Sequence, residues 1–155
     1  MLRLFVILGI ALVGPTALAQ SARDLAGAYT FIHEMGIDGR PSNVGAKGVL
    51  ILDAGGRYTL RIISPNVPNV ASNNRRSATA EEAKAIVAAT IAHFGTYSVN
   101  DAIRVFKIER ASFPNWNGIE QRRPFKLVGD ELQYSVAASS GSGSGITLTW
   151  KRARD

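Results

Sequence analysis

Lys47-Gly-Val-Leu-Ile-Leu-Asp-Ala-Gly-Gly-Arg57-Tyr-Thr-Leu-Arg-Ile-Ile63 is the stretch that decides the fold class. An apolar run meets Asp53-Ala54-Gly55-Gly56 and is followed by strict alternation, which is the signature of a β-hairpin. In the second arm Tyr58, Leu60 and Ile62 share one face, while Arg57, Thr59 and Arg61 share the other. Tyr58, Leu60 and Ile62 therefore belong to a core, and Arg57 and Arg61 face out. No Gly-Lys-Ser/Thr follows the glycines, so this is turn chemistry and not a phosphate loop.

The same pattern extends in both directions. Strands are predicted at residues 27–34, 95–100, 103–112, 120–128, 131–136 and 146–151, with the hairpin arms at 47–53 and 57–63. Residues 64–78, with two prolines and four asparagines, read as a loop. One helix interrupts the strands. Thr79-Ala-Glu-Glu82 is a capping box, alanine-rich sequence runs to about Ala92, and Gly95 suits a stop. The fold class is thus all-β: an eight-stranded antiparallel barrel with one internal helix between the third and fourth strands. An immunoglobulin-like sandwich is the alternative, but it must place a helix and lacks a Cys–Trp–Cys pattern. Pro124 inside the sixth strand predicts an edge, a bulge or a kink.

The amino terminus reads differently. Met1-Leu2-Arg3, the apolar run Leu4 to Val13, Gly14-Pro15 and Ala17-Leu18-Ala19 have the layout of a signal peptide cleaved after Ala19. The apolar run is about ten residues, and a bilayer span needs about 20. Residues 1–19 are expected to be an export signal and residues 20–155 one barrel domain, periplasmic or secreted, with no stable membrane span once the signal is removed. With Arg3 gone, 136 residues remain at a formal charge of +5.

Composition excludes several chemistries. The chain has no cysteine, so disulfides, thiolate metal sites and a Cys nucleophile are ruled out. Only two histidines, His33 and His93, are present, too few for a His-rich metal site. No cofactor is implied. Basic residues cluster only as pairs (Arg75-Arg76, Arg122-Arg123, Lys151-Arg152), which reads as a solvated basic surface and not a nucleic-acid stripe.

Leu25-Ala-Gly-Ala-Tyr29, Gly48 to Tyr58, Thr79 to Glu82, His93-Phe-Gly-Thr-Tyr97, Phe113-Pro-Asn-Trp116 with Gly118, Gln121-Arg122-Arg123 and Leu148-Thr-Trp-Lys-Arg152 occur in that order. The series resembles the bacterial lipocalin-like domain family of calycin-type barrels over roughly Asp24 to Arg152. The resemblance implies a lipocalin-like barrel. Where such barrels begin Gly-x-Trp, this chain has Gly27-Ala28-Tyr29, whose hydroxyl needs a partner if buried.

Candidate site residues follow. Tyr29, Tyr58, Tyr97, Arg123, Phe113 and Trp116 are the expected ligand-binding residues; Arg123 shares a face with Phe125 and Leu127 while Arg122 points away. An inward Arg123 near Glu109 or a tyrosine would anchor an anionic ligand or form an internal ion pair. Phe113 and Trp116 flank Pro114-Asn115 in a loop that either lids a ligand or seals the barrel bottom. His93 is expected to cap the helix or to face a ligand. Ser139–Gly145 reads as a mobile hairpin tip without a nucleophile context.

No complete catalytic constellation is visible, so no residue is assigned a catalytic or metal role. The leading expectation is an exported barrel that binds a small apolar or amphipathic molecule, carboxylate-bearing in one version. The alternatives are a barrel enzyme of cyclase or isomerase type on a small hydrophobic substrate, or a filled barrel that acts through its surface.

Overall fold

A computed structural model of the chain describes residues 21–154. The expected export signal, residues 1–19, lies outside the described residues. Among these residues two α-helices and nine strands follow one another as α1 (Ala22–Leu25), β1 (Gly27–Gly36), β2 (Pro41–Ser42), β3 (Lys47–Leu52), β4 (Arg57–Ile63), α2 (Ala80–Ala89), β5 (Thr90–Asn100), β6 (Ile103–Ala111), β7 (Glu120–Val128), β8 (Glu131–Val136) and β9 (Ile146–Arg152). Every neighbouring pair is antiparallel, and β1 pairs with β3 on one side and β9 on the other. That last pairing, from Tyr29 opposite Arg152 to Gly36 opposite Ile146, closes the sheet and removes its edges. The result is an eight-stranded antiparallel barrel, with β2 as a two-residue ribbon on the end of β1.

β3 and β4 form the expected hairpin, with Lys47 opposite Ile63 and Leu52 opposite Tyr58. Tyr58, Leu60 and Ile62 are buried, and Arg57 and Arg61 are exposed. Fully burying Leu60 and Ile62 contributes about 1.5–3 kcal/mol each, which helps hold the register against a slip.

Three expectations need correction. The helix does not lie between the third and fourth strands; it follows the fourth, β4, because the Asp38-Gly39 turn folds Pro41–Ser42 back on Glu34 and Met35 as the extra strand β2. The helix also ends at Ala89 and not near Ala92. Thr90 and Ile91 are β-branched and fit better in the ladder opposite Ile63 and Ile62, so β5 begins there. Gly95 therefore stops no helix. It sits at a register shift where β5 crosses β6 so closely that a Cβ would overlap the Lys107 carbonyl oxygen.

The start of α2 is as the sequence reads: Thr79 Oγ1 accepts from Glu82 N, and the Glu82 carboxylate accepts from Thr79 N at 2.8 Å. Glu82 also accepts from Ala71 N, which ties down the loop after β4. Pro124 marks a handover. Residues 120–124 of β7 pair with β6 and residues 125–128 pair with β8, so the missing N–H costs no ladder bond.

One end of the barrel is sealed. The Tyr97 hydroxyl donates to Ala22 O (2.9 Å) or Asp53 O (2.8 Å), and the Tyr29 hydroxyl donates to Leu25 O at 2.8 Å. The Arg152 guanidinium lies 4.8 Å over the Tyr29 ring and donates to Ala26 O and Asp24 O. α1 is thereby pinned across the opening as a plug. The tyrosine at the Gly-x-Trp position keeps the plugging function because α1 supplies the acceptor its hydroxyl needs.

Candidate functional site

The other end is open. A cavity of about 360 Å³ enters there, walled by Leu60, Ile62 and Ile91 on one side and Val136, Ile146 and Leu148 on the other. That volume is at the lower end of ordinary small-molecule sites. The polar side chains on the lining are Glu34, His93, Gln121, Arg123, Tyr134, Ser139 and Ser140.

Alternation along β5 brings His93 inside with Tyr97, and His93 is buried. It does not cap α2, because Ala89 ends the helix four residues earlier. Its Nδ1 lies 2.8 Å from the Tyr58 hydroxyl, and its ring meets Phe106 and Trp116 edge-on at 5.8 and 5.7 Å. Burial, reinforced by Arg104 and then Arg123, lowers its pKa to about 4, so the imidazole is neutral at physiological pH. Burial likewise pushes the Tyr58 hydroxyl well above the ordinary tyrosine value. At neutral pH the pair is therefore a neutral hydrogen-bonding unit on the cavity wall.

The expected site residues divide into two groups. Arg123 and Trp116 line the cavity, and Phe113 stands edge-on behind Trp116 at 5.5 Å. The loop carrying both aromatics thus sits at the open end and not at the sealed bottom. Tyr58 reaches the cavity through His93. Tyr29 and Tyr97 are not brought to the cavity; both belong to the plugged end. Ser139 and Ser140 of the β8–β9 connection border the opening.

Arg123 points inward as alternation predicts, but its partner differs from expectation. It donates from Nη2 to Gln121 Oε1 at 2.8 Å. Glu109 is instead engaged by Arg57 on the solvent side. Among the described residues Arg123 takes part in no ion pair, and burial lowers its pKa.

One residue escaped the sequence reading. Arg104 on β6 is completely buried, its guanidinium held 4.2 Å from the ring centroids of both Phe106 and Tyr134. None of its three nitrogens, nor the Trp150 indole N–H, makes a well-aligned hydrogen bond; the Tyr134 hydroxyl, a neutral oxygen, is the group that approaches both. Burial lowers the Arg104 pKa to about 10, partly opposed by Tyr134, which leaves it charged at neutral pH. The available signal was its alternation with Phe106 and Ile108 on an inward face.

A family model for the lipocalin-like domain matches residues 28–153, the span of the barrel from β1 to just beyond β9. The chain belongs to the lipocalin-like domain family. Membership accounts for the barrel architecture but by itself names no ligand. No protein of curated function matches the chain. Among the described residues no three His, Asp or Glu side chains group as a metal site would require, and no helix is long and apolar enough to cross a membrane.

Proposed function

We propose that this lipocalin-like domain is an exported carrier of a small amphipathic molecule, held inside the barrel with its apolar part between the walls of the cavity. The observation that carries the reading is the cavity itself: about 360 Å³, open at one end, apolar on two sides, with Arg123 on its lining. A barrel that acted only through its surface would gain stability by filling this space, since empty apolar volume costs packing energy. The Phe113–Trp116 loop is the lid in this reading, and the signal-like residues 1–19 direct the protein to the periplasm or the exterior.

Binding is tested with aminoanthracene, a neutral apolar fluorophore. A saturable one-to-one titration supports the proposal, and absence of binding refutes it. The Tyr58–His93 hydrogen bond at the cavity favours one second reading, a cyclase or isomerase that moves a proton on a bound hydrophobic substrate. Recovery of a chemically changed molecule after incubation would select that reading.

A further inference from the structure

The interior of the barrel holds a surplus of buried donors. Arg104 and Trp150 have only the neutral Tyr134 hydroxyl near their N–H groups and no well-aligned acceptor, and Arg123 has only the amide oxygen of Gln121. Arg104 and Arg123 are directly opposite each other on β6 and β7, so their side chains leave the same face of the sheet. The only carboxylate among the described cavity-lining residues is Glu34, near the mouth, where it accepts from Ser42 Oγ at 2.5 Å. Buried cations are normally paired with an anion; here Arg123 faces the cavity and Arg104 lies behind its lining, with no carboxylate paired to either.

We infer that the cavity selects its ligand by negative charge, taking an amphipathic molecule with a single anionic head group that sits on Arg123 and Tyr134 with the Arg104 charge directly behind them. This rests on the binding reading above and adds the chemical class of the ligand. Arg104 itself is sealed behind Phe106 and Tyr134, both of which line the cavity, so its contribution is the field of a fixed, unscreened charge and not a contact. Arg123 supplies the fork that fits a carboxylate or sulfate. One facing cation sets the head group at one charge. The surrounding apolar wall sets the rest of the molecule.

The test is displacement of aminoanthracene at neutral pH by decanoate, decyl sulfate and decanol, which share an alkyl chain and differ in the head. Decanoate is expected to displace at a concentration about tenfold or more below that of decanol. Equal potency of decyl sulfate would mark the site as a general anion receptor, and weaker potency would mark it as one for carboxylates; both agree with selection by charge. Arg123→Met and Arg104→Met should each shrink the preference for decanoate over decanol. Arg104→Lys, which retains the charge, should keep part of it. If Arg104→Met does not fold, the Arg123→Met and Arg123→Lys pair makes the same comparison. Decanol as potent as decanoate in the parent protein, or an undiminished preference in these Met variants, overturns the inference while leaving the binding reading intact. If aminoanthracene does not bind at all, the binding reading falls and this one with it.

Discussion

Arg104 and Arg123 are cross-strand partners that project to the interior of the same barrel, and neither meets a carboxylate. Like charges directly opposite each other destabilise a sheet pair, so the arrangement opposes folding and calls for a reason outside it. The anionic ligand proposed above would supply that reason.

The first prediction concerns stability without ligand. An uncompensated buried cation costs several kcal/mol, whereas each of the two flanking rings returns roughly 1–2. Arg104→Met should therefore unfold at higher urea concentration than the parent, by about 1–2 kcal/mol at neutral pH. A loss of stability on urea denaturation would show that Arg104 is held for packing.

His93 makes stability depend on pH. Its folded pKa, about 4, is below the ordinary histidine value of 6.5, chiefly because it is buried. As pH falls below 6.5 the unfolded chain takes up a proton that the folded chain refuses until about 4. The stability is thus complete above 6.5 and lost between 6.5 and 4, by up to about 3 kcal/mol. His93→Gln should flatten that part of the curve, removing about 2–3 kcal/mol of the decline in denaturation series run across this window. Parallel curves for the two proteins would contradict the burial assigned to His93.

At the plugged end, Tyr97→Phe removes the hydroxyl donor that ties β5 to Ala22 and Asp53. The expected cost is about 1–3 kcal/mol, because carbonyl acceptors lose a buried partner. Aminoanthracene affinity should stay as it was, since Tyr97 is remote from the open cavity. Amide exchange in α1 should rise in the same variant, as the plug loosens.

Most of the scaffold was legible in the residues. Alternation around Tyr58, Leu60 and Ile62 placed a hairpin, and the Thr79–Glu82 capping box placed the start of the one long helix. Where the reading failed, long-range pairing outweighed a local preference. Alanine-rich sequence favours continuing α2, but Ile62 and Ile63 offer Thr90 and Ile91 a ladder, and the strand wins. The candidate site was legible by face but not by depth. Period-two counting placed Arg123 inside, yet it could not distinguish the plugged end, where Tyr29 and Tyr97 lie, from the open one. Arg104 was missed because nothing local to β6 announces that an arginine will be wrapped between two rings from β6 and β8.

Trp116 is only half-buried, and it contacts His93 and Phe113 at the cavity mouth. Trp116→Ala should leave stability within about 1 kcal/mol of the parent. It should weaken aminoanthracene binding about tenfold, which corresponds to about 1.4 kcal/mol, and speed its release. A stopped-flow dissociation trace reads both effects.

Native mass spectrometry of the protein purified without denaturant tests the central claim most directly. One small organic molecule per chain is expected, extractable and detected as an anion, with occupancy falling sharply in Arg123→Met. A chain that emerges empty, and remains empty when decanoate or aminoanthracene is supplied, would contradict it.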